Sequence, residues 1–406
     1  MNIYRMEERM GKPKSGCLST IKKVFIASFI VLGIVMAGMA LYNLSLPEAS
    51  PYLSELSDTE QNRLSEITHL RKTLGNEVWP GWGDQEIPIL LYNESYAFLT
   101  GIDDPAPGWK KVPYSSFHGT YWEATSGKMP YFRQPLPENG ETPQAFIVQI
   151  GYTFAASMTT KTWTQIQLIK MIRDDLPNIL KPVMPYQLLV NKFDSDWHVA
   201  GILHESFHAF QANVAYDRLL EAEKCAVLED TYPWNDAAFR NKWVEERRLL
   251  AKAIEEKDPR KFKQDVQQWL IMRQDRQSTI DSTLVHYEKN REWLEGMAKY
   301  AELNIWLKAS EESYKPLPGM QKDDDFSFYQ NANDHKVQEI RQLSSDLSFS
   351  ETMFYYSGWA QAEILDRLYP NWRSLVFEPD VFLDDLIAES MEGQPVAEHN
   401  PKWKLW

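Results

Sequence analysis

The sequence predicts an α+β protein: an N-terminal transmembrane helix, a β-rich segment, then a mainly helical half. Three observations predict it. Residues 24–42 form an uncharged apolar run, residues 76–143 are dominated by Pro, Gly and aromatic residues, and helical periodicity takes over after residue 165.

The first element is a basic tail, residues 1–23, with Arg5, Arg9, Lys12, Lys14, Lys22 and Lys23 against Glu7 and Glu8. The run Val24-FIASFIVLGIVMAGMALY42 follows, long enough at ~1.5 Å per residue to cross a ~30 Å hydrocarbon core. The chain carries a net −14, so nearly all its acidity lies beyond this run. A positive flank before an acidic domain predicts a signal anchor, with the N-terminus cytoplasmic and residues 43–406 extracytoplasmic. A cleaved signal peptide, ending near Gly38-Met39-Ala40, is the alternative. The two cysteines, Cys17 and Cys225, then fall on opposite sides of the membrane, and no disulfide between them is expected.

Residues 43–75 read as a polar stalk or packing helix ending at Gly75. Residues 76–195 form the β-rich part. Ile87-PILLYNESYAFLTG is its clearest strand, and Ala145-FIVQIGYTFAASM reads as another, with Thr162-WTQIQLIKMI as hairpin partner across Thr159-Thr160-Lys161. Residues 196–406 form the helical part. Asp258-Pro259 is a cap followed by Pro at the first helical position, so at least two helices lie in 236–310. The mixed charge runs Glu245-Glu246-Arg247-Arg248 and Glu255-Glu256-Lys257 read as solvated helix faces. Residues 311–350 read as an irregular acidic loop, in which Asp323–Asp325 is a solvated turn or a calcium or substrate-charge site.

Acidity on this scale argues against nucleic acid as a partner. No Gly-rich phosphate loop, dinucleotide fingerprint, G-x-S-x-G elbow or internal repeat stands out. What does stand out is His204-Glu205-Ser206-Phe207-His208. Side chains four apart on a helix share a face, so His204 and His208 can offer two imidazoles to one Zn²⁺, with Glu205 in reach of a metal-bound water. Val199, Ile202, Leu203, Phe207, Phe210 and Val214 surround the motif, which predicts a buried helix. Buried imidazoles and carboxylates need partners.

A second helical stretch, Glu288-KNREWLEGMAKYAELNIWLK, contains Trp293-Leu294-Glu295-Gly296-Met297-Ala298. This resembles the gluzincins, zinc metallopeptidases in which a Glu on a separate downstream helix is the third ligand, often set in W-L-x-E-G-x-A. The resemblance implies a gluzincin-like zincin half over residues 145–390, with Glu295 as third ligand; Glu292, one turn earlier, is the rival. Gly296 and Ala298 would let the ligand helix approach the His204–His208 helix closely. Tyr355-Tyr356-Ser357-Gly358 is similar to the Y-x-x-G of the aminopeptidase branch, which implies Tyr355 as donor to the oxyanion. His335 is the counterpart implied by the thermolysin-like branch. The family's edge strand, which pairs with the substrate backbone, falls at 145–158. The G-x-M-E-N loop of the aminopeptidases is absent from Gly151-YTFAASM.

Together these readings predict a membrane-anchored zinc metallopeptidase with one Zn²⁺ per chain, Glu205 as general base, and a peptide or protein substrate. A non-enzymatic binding module on the same scaffold and a zinc hydrolase of a non-peptide amide are the alternatives.

Overall fold

A computed structural model describes residues 15–112, 116–117, 120–121, 130–346 and 349–392. Most of the basic tail, including Arg5, Arg9, Lys12 and Lys14, lies outside the described residues. In chain order the elements are α1 (Ser15–Asn43), α2 (Asp58–Val78), β1 (Ile89–Tyr92), β2 (Tyr96–Thr100), β3 (Lys110–Val112), β4 (Ser116–Phe117), β5 (Thr120–Tyr121), β6 (Tyr131–Pro135), β7 (Phe146–Ile150) and β8 (Thr153–Thr159). Then come α3 (Lys161–Asp175), α4 (Tyr186–Val190), α5 (Ser195–Lys224), α6 (Ala237–Glu255), α7 (Pro259–Gln277) and α8 (Ser282–Arg291). A π turn at Glu292–Gly296 leads into α9 (Met297–Ala309), followed by α10 (Ala332–Ser344), α11 (Thr352–Leu368) and α12 (Leu383–Glu392). The chain divides into two compact units.

Unit 1 comprises residues 1–49 and 165–192. Within α1, the 21 residues Lys23–Asn43 are long and apolar enough to cross a membrane. Leu46, Ile169, Tyr186 and Val190 form a small core of this unit, and Asn43 Nδ2 donates to the carbonyls of Pro182 (2.8 Å) and Met184 (2.9 Å).

Unit 2 comprises residues 50–164 and 193–406. Its sheet has the order β3-β6-β2-β1-β8-β7, with β1 and β8 parallel and every other pair antiparallel. The stretch 87–101 proves to be two strands rather than one. Asn93 Oδ1 accepts from the amides of Ser95 (2.9 Å) and Tyr96 (2.8 Å), which turns the chain between β1 and β2. The stretch 145–158 likewise folds on itself: Gly151, at φ +62°, supplies the left-handed turn that pairs β7 with β8 in the register Ile150↔Thr153. The expected partner strand at 162–172 is instead α3. Thr160 opens that helix, its carbonyl accepting from Thr164 N (2.9 Å) and its hydroxyl from Trp163 N (3.3 Å). Alternation of apolar residues is ambiguous over so short a run, and here the β8 edge was already taken by β7.

Ile89, Leu91 and Phe98 of the sheet join Leu64, Ile67 and Leu70 of α2, Leu203 and Phe207 of α5, and Ile305 of α9 in one core. Hence α2 is a packing helix. It continues three residues past Gly75, because Gly75 is needed for something else: a Cβ there would stand 3.0 Å from the Gly83 backbone. Leu90, Tyr92, Leu99 and Ala155 face the other side of the sheet.

Two expectations for the helical half need correction. Glu246 and Arg247 are buried, not solvated. Glu246 accepts from Arg273 Nη1 (3.0 Å) and Arg276 Nε (2.6 Å) of α7, and Arg247 Nη2 donates to the Ser345 carbonyl (2.7 Å). A charge run lying between two packed helices finds its counter-charges there. The segment 311–350 is also not an irregular loop, since α10 occupies 332–344. Asp323 accepts from Arg63 Nε (2.7 Å) and Ser195 Oγ (2.8 Å), and Asp325 pairs with Lys161 Nζ (2.5 Å), so these carboxylates anchor the segment to α2, α5 and the start of α3.

Candidate metal centre

Helix α5, which kinks at Ala215, starts on an Asp194 cap, whose carboxylate accepts from Trp197 N (2.9 Å). Its apolar residues bury the middle of the helix, and with it His204 and His208. The Nε2 atoms of these two imidazoles lie 3.2 Å apart. Glu295 Oε2, from the π turn, lies 3.2 Å from His208 Nε2 and 3.5 Å from His204 Nε2. All three residues are buried, and together they could hold a metal ion.

The groups behind the triangle settle which atoms face it. His204 Nδ1 lies 3.1 Å from Glu302 Oε2, and His208 Nδ1 lies 2.8 Å from Gln211 Oε1. Gln211 is itself oriented, its Nε2 donating to the carbonyls of Trp293 and Leu294 (both 3.2 Å). Each Nδ1 therefore faces an acceptor and carries a proton, which turns Nε2, the atom that could ligate a metal, toward the carboxylate. Two Nε2 atoms and a carboxylate converge on one point, which favours a positive charge there, whether a metal ion or the proton of an imidazolium. Burial opposes charge on His204, yet the carboxylates of Glu295 and Glu302 outweigh it and raise this imidazole to about 10. Glu295 is pulled in the other sense: burial raises its carboxyl, but His208, His204 and Arg291 hold it well below the usual range.

Other side chains complete the centre. Glu205 sits next to His204 on α5, and burial raises its carboxyl against the pull of His204 and His208. Arg291 Nη2 donates to Glu295 Oε1 (3.0 Å) and its Nε pairs with Glu351 (2.5 Å). Glu302 accepts from Lys299 Nζ (2.9 Å); burial would raise this carboxyl, but Lys299 and His204 lower it to about 2. Phe146, at the start of the edge strand β7, meets the His208 ring edge-on at 4.8 Å.

Tyr355 lies at the centre, its ring parallel to His204 (5.8 Å between centroids, 8° between planes), and burial together with the nearby Glu295 carboxylate raises its phenol. Tyr356 turns to Glu339 instead. His335 stacks on Trp306 (4.6 Å), its Nε2 3.2 Å from Glu339 Oε1, a layer behind Lys299 and Glu302. Glu292 is also engaged elsewhere: Arg273 grips both its oxygens (3.0 and 2.5 Å) and Ser357 Oγ donates to it (2.7 Å). In an α-helix Glu292 and Glu295 would share a face. The wider π turn separates them, one toward Arg273 and the other toward the imidazoles.

Gly296, expected to bring the ligand helix against α5, serves a different neighbour. Gly296 packs on Gly358 of α11, backbone against backbone. The glycines of Trp293-Leu294-Glu295-Gly296 and of Tyr355-Tyr356-Ser357-Gly358 are thus the two halves of one contact, and that contact is what seats Tyr355 beside Glu295. Glu302, Gln211 and Arg291 were not among the residues expected from the sequence. Arg291 and Gln211 had visible cues, four residues before Glu295 and three after His208. Glu302 had none, because its partner lies 98 residues away.

No protein-family model, curated protein or solved structure matches this chain.

Proposed function

We propose that this chain is a membrane-anchored zinc metallopeptidase. One observation carries the reading, the triangle of His204 Nε2, His208 Nε2 and Glu295 Oε2 with sides of 3.2–3.5 Å. Ligands at zinc distances of ~2.0–2.2 Å in a tetrahedron stand about 3.3–3.5 Å apart, so the triangle fits three corners of such a tetrahedron and would leave a fourth for water. Two neutral imidazoles and one carboxylate are the donor set of a catalytic zinc site. Zinc bound there would supply a Lewis acid and an acidified water.

The chain's own groups would do the rest. Glu205, raised by burial, takes the proton of the attacking water and passes it to the leaving amine. Tyr355, kept protonated by burial and by the nearby Glu295, donates to the developing oxyanion. Arg291 holds Glu295 by its second oxygen, and Glu302 and Gln211 hold the imidazoles in the ligating tautomer. The outer edge of β7, the last strand of the sheet among the described residues, lies beside His208 and offers main-chain groups to an extended peptide, which favours a peptide over another amide. With α1 as signal anchor, the basic tail lies in the cytoplasm and the centre on the far side of the membrane.

The test uses the full chain in detergent or nanodiscs. Elemental analysis should find one zinc per chain, and a peptide-library digest should show cleavage that a chelator abolishes and added zinc restores. Zinc without cleavage of any peptide would leave a binding module or a hydrolase of another amide. No zinc would end the reading.

A further inference from the structure

We propose that residues 171–189 of unit 1 lie in the interfacial layer of the bilayer that α1 crosses, giving the chain a second, monotopic hold on the membrane. The proposal rests on the reading of α1 as a membrane span. It starts from α4, Tyr186-Gln187-Leu188-Leu189-Val190, which is apolar on two sides. Tyr186 and Val190 pack on Leu46 and Ile169. Leu188 and Leu189 point the other way, 65% and 39% exposed. The turn before it exposes Ile179 (83%) and Leu180 (47%), and α3 exposes Met171 (56%). A short element with apolar residues on both sides is at home only where both sides leave water. Soluble surfaces seldom leave such residues bare together.

Position within the unit identifies the cover. Asn43 closes α1, and its amide donates to the carbonyls of Pro182 and Met184. That ties the 177–185 turns to the point where the apolar helix ends. Leu41 and Leu44, at the same exit, are 70% and 84% exposed. Charge points the same way. Residues 165–192 carry Lys170, Arg173, Lys181 and Lys192 against Asp174 and Asp175, in a chain of net −14. Cationic side chains interleaved with exposed Leu, Ile and Met suit anionic headgroups above an acyl layer. The occupant is therefore lipid, in the bilayer that holds α1.

Spin labels would test this on the full chain, with Cys17→Ser and Cys225→Ser, in single-copy nanodiscs of phosphatidylcholine and phosphatidylglycerol. One cysteine at a time is placed at Ile179, Leu188, Ile30 of α1, or the exposed Lys257. Only labelled chains that melt like the parent are compared. Collisions with oxygen and with a water-soluble nickel chelate then give depth. Labels at 179 and 188 should favour oxygen and sit roughly 5–10 Å below the headgroups, with Ile30 deeper and Lys257 in water. Labels at 179 and 188 in water with Ile30 deep would overturn the proposal and leave the anchor standing. Ile30 in water would remove the anchor, and the proposal with it. Shielding of 179 and 188 from both probes would mean a protein surface covers them, which also overturns it.

Discussion

Gly296→Ala should disable the centre without touching a ligand. A Cβ at Gly296 would stand 2.6 Å from the Gly358 carbonyl carbon and 2.9 Å from Trp359 N, and nearer still to Gly358 Cα. Carbon atoms rest comfortably at ~3.5 Å, so the π turn and α11 must part by about 1 Å. Both sides of the contact are backbone, so no side chain can rotate away. Overpacking of this kind costs about 1–3 kcal/mol, and rigid neighbours place it at the upper end. Glu295 is the residue before Gly296 and moves with it, whereas zinc ligands tolerate only about ±0.2 Å. The consequence for metal should exceed the ~10–100-fold typical of losing a partner behind a ligand. Competition with a chromophoric chelator should therefore show zinc affinity down by at least about 100-fold, and a melt should show the stability loss separately. Gly201→Ala, on α5 against β8, is the control, since its Cβ meets only the flexible end of Met158 (Cε at 3.3 Å, Sδ at 3.5 Å). That variant should keep its zinc. If Gly296→Ala binds zinc and melts like the parent, the glycine contact does not position Glu295 and the argument fails.

Glu295→Ala should lose zinc, whereas Glu292→Ala should keep its ligand set and cost about 1–3 kcal/mol, because Arg273 Nη2 and Ser357 Oγ lose their acceptor while Arg273 keeps Glu246 and Asp384; elemental analysis separates the two. Glu205→Gln should bind zinc normally and lose ~10²–10⁴ in turnover, and full activity in that variant would hand the base role to another group. Tyr355→Phe should lower kcat by ~10²–10³ with KM little changed, while His335→Ala stays near the parent; the reverse ranking in steady-state assays would move the oxyanion donor to His335. Glu302→Gln should weaken zinc retention by about 10–100-fold in the same chelator competition, because the His204 imidazole loses its charged anchor.

Local pattern carried much of this structure. Helical spacing placed His204 and His208 on one face of a buried helix, the Asp258-Pro259 cap marked the start of α7, and composition alone isolated the apolar run of α1. The misreadings share a cause. The run at 162–172 alternates well enough for a strand, but its partner was decided by Gly151 folding β7 back onto β8. Glu246 and Arg247 look like surface charge until α7 delivers Arg273 and Arg276 against the first, and the Ser345 carbonyl meets the second. Asp323 looks like a solvated turn until Arg63, from 260 residues earlier, reaches it.

The sequence by itself determined what depends on a few consecutive residues: which stretch is apolar enough for a bilayer, which helix carries two imidazoles and a carboxylate, and which downstream glutamates compete to join them. Only the tertiary structure decided which of Glu295 and Glu292 stands beside the imidazoles, because that depends on a π turn held by Arg273 on one side and by Gly358 on the other. It also decided what stands behind the imidazoles. A ligand pair at helical spacing is written in the periodicity of one helix, but the orientation of each ring is set by acceptors from other turns of the fold. Their distance in sequence leaves no local trace.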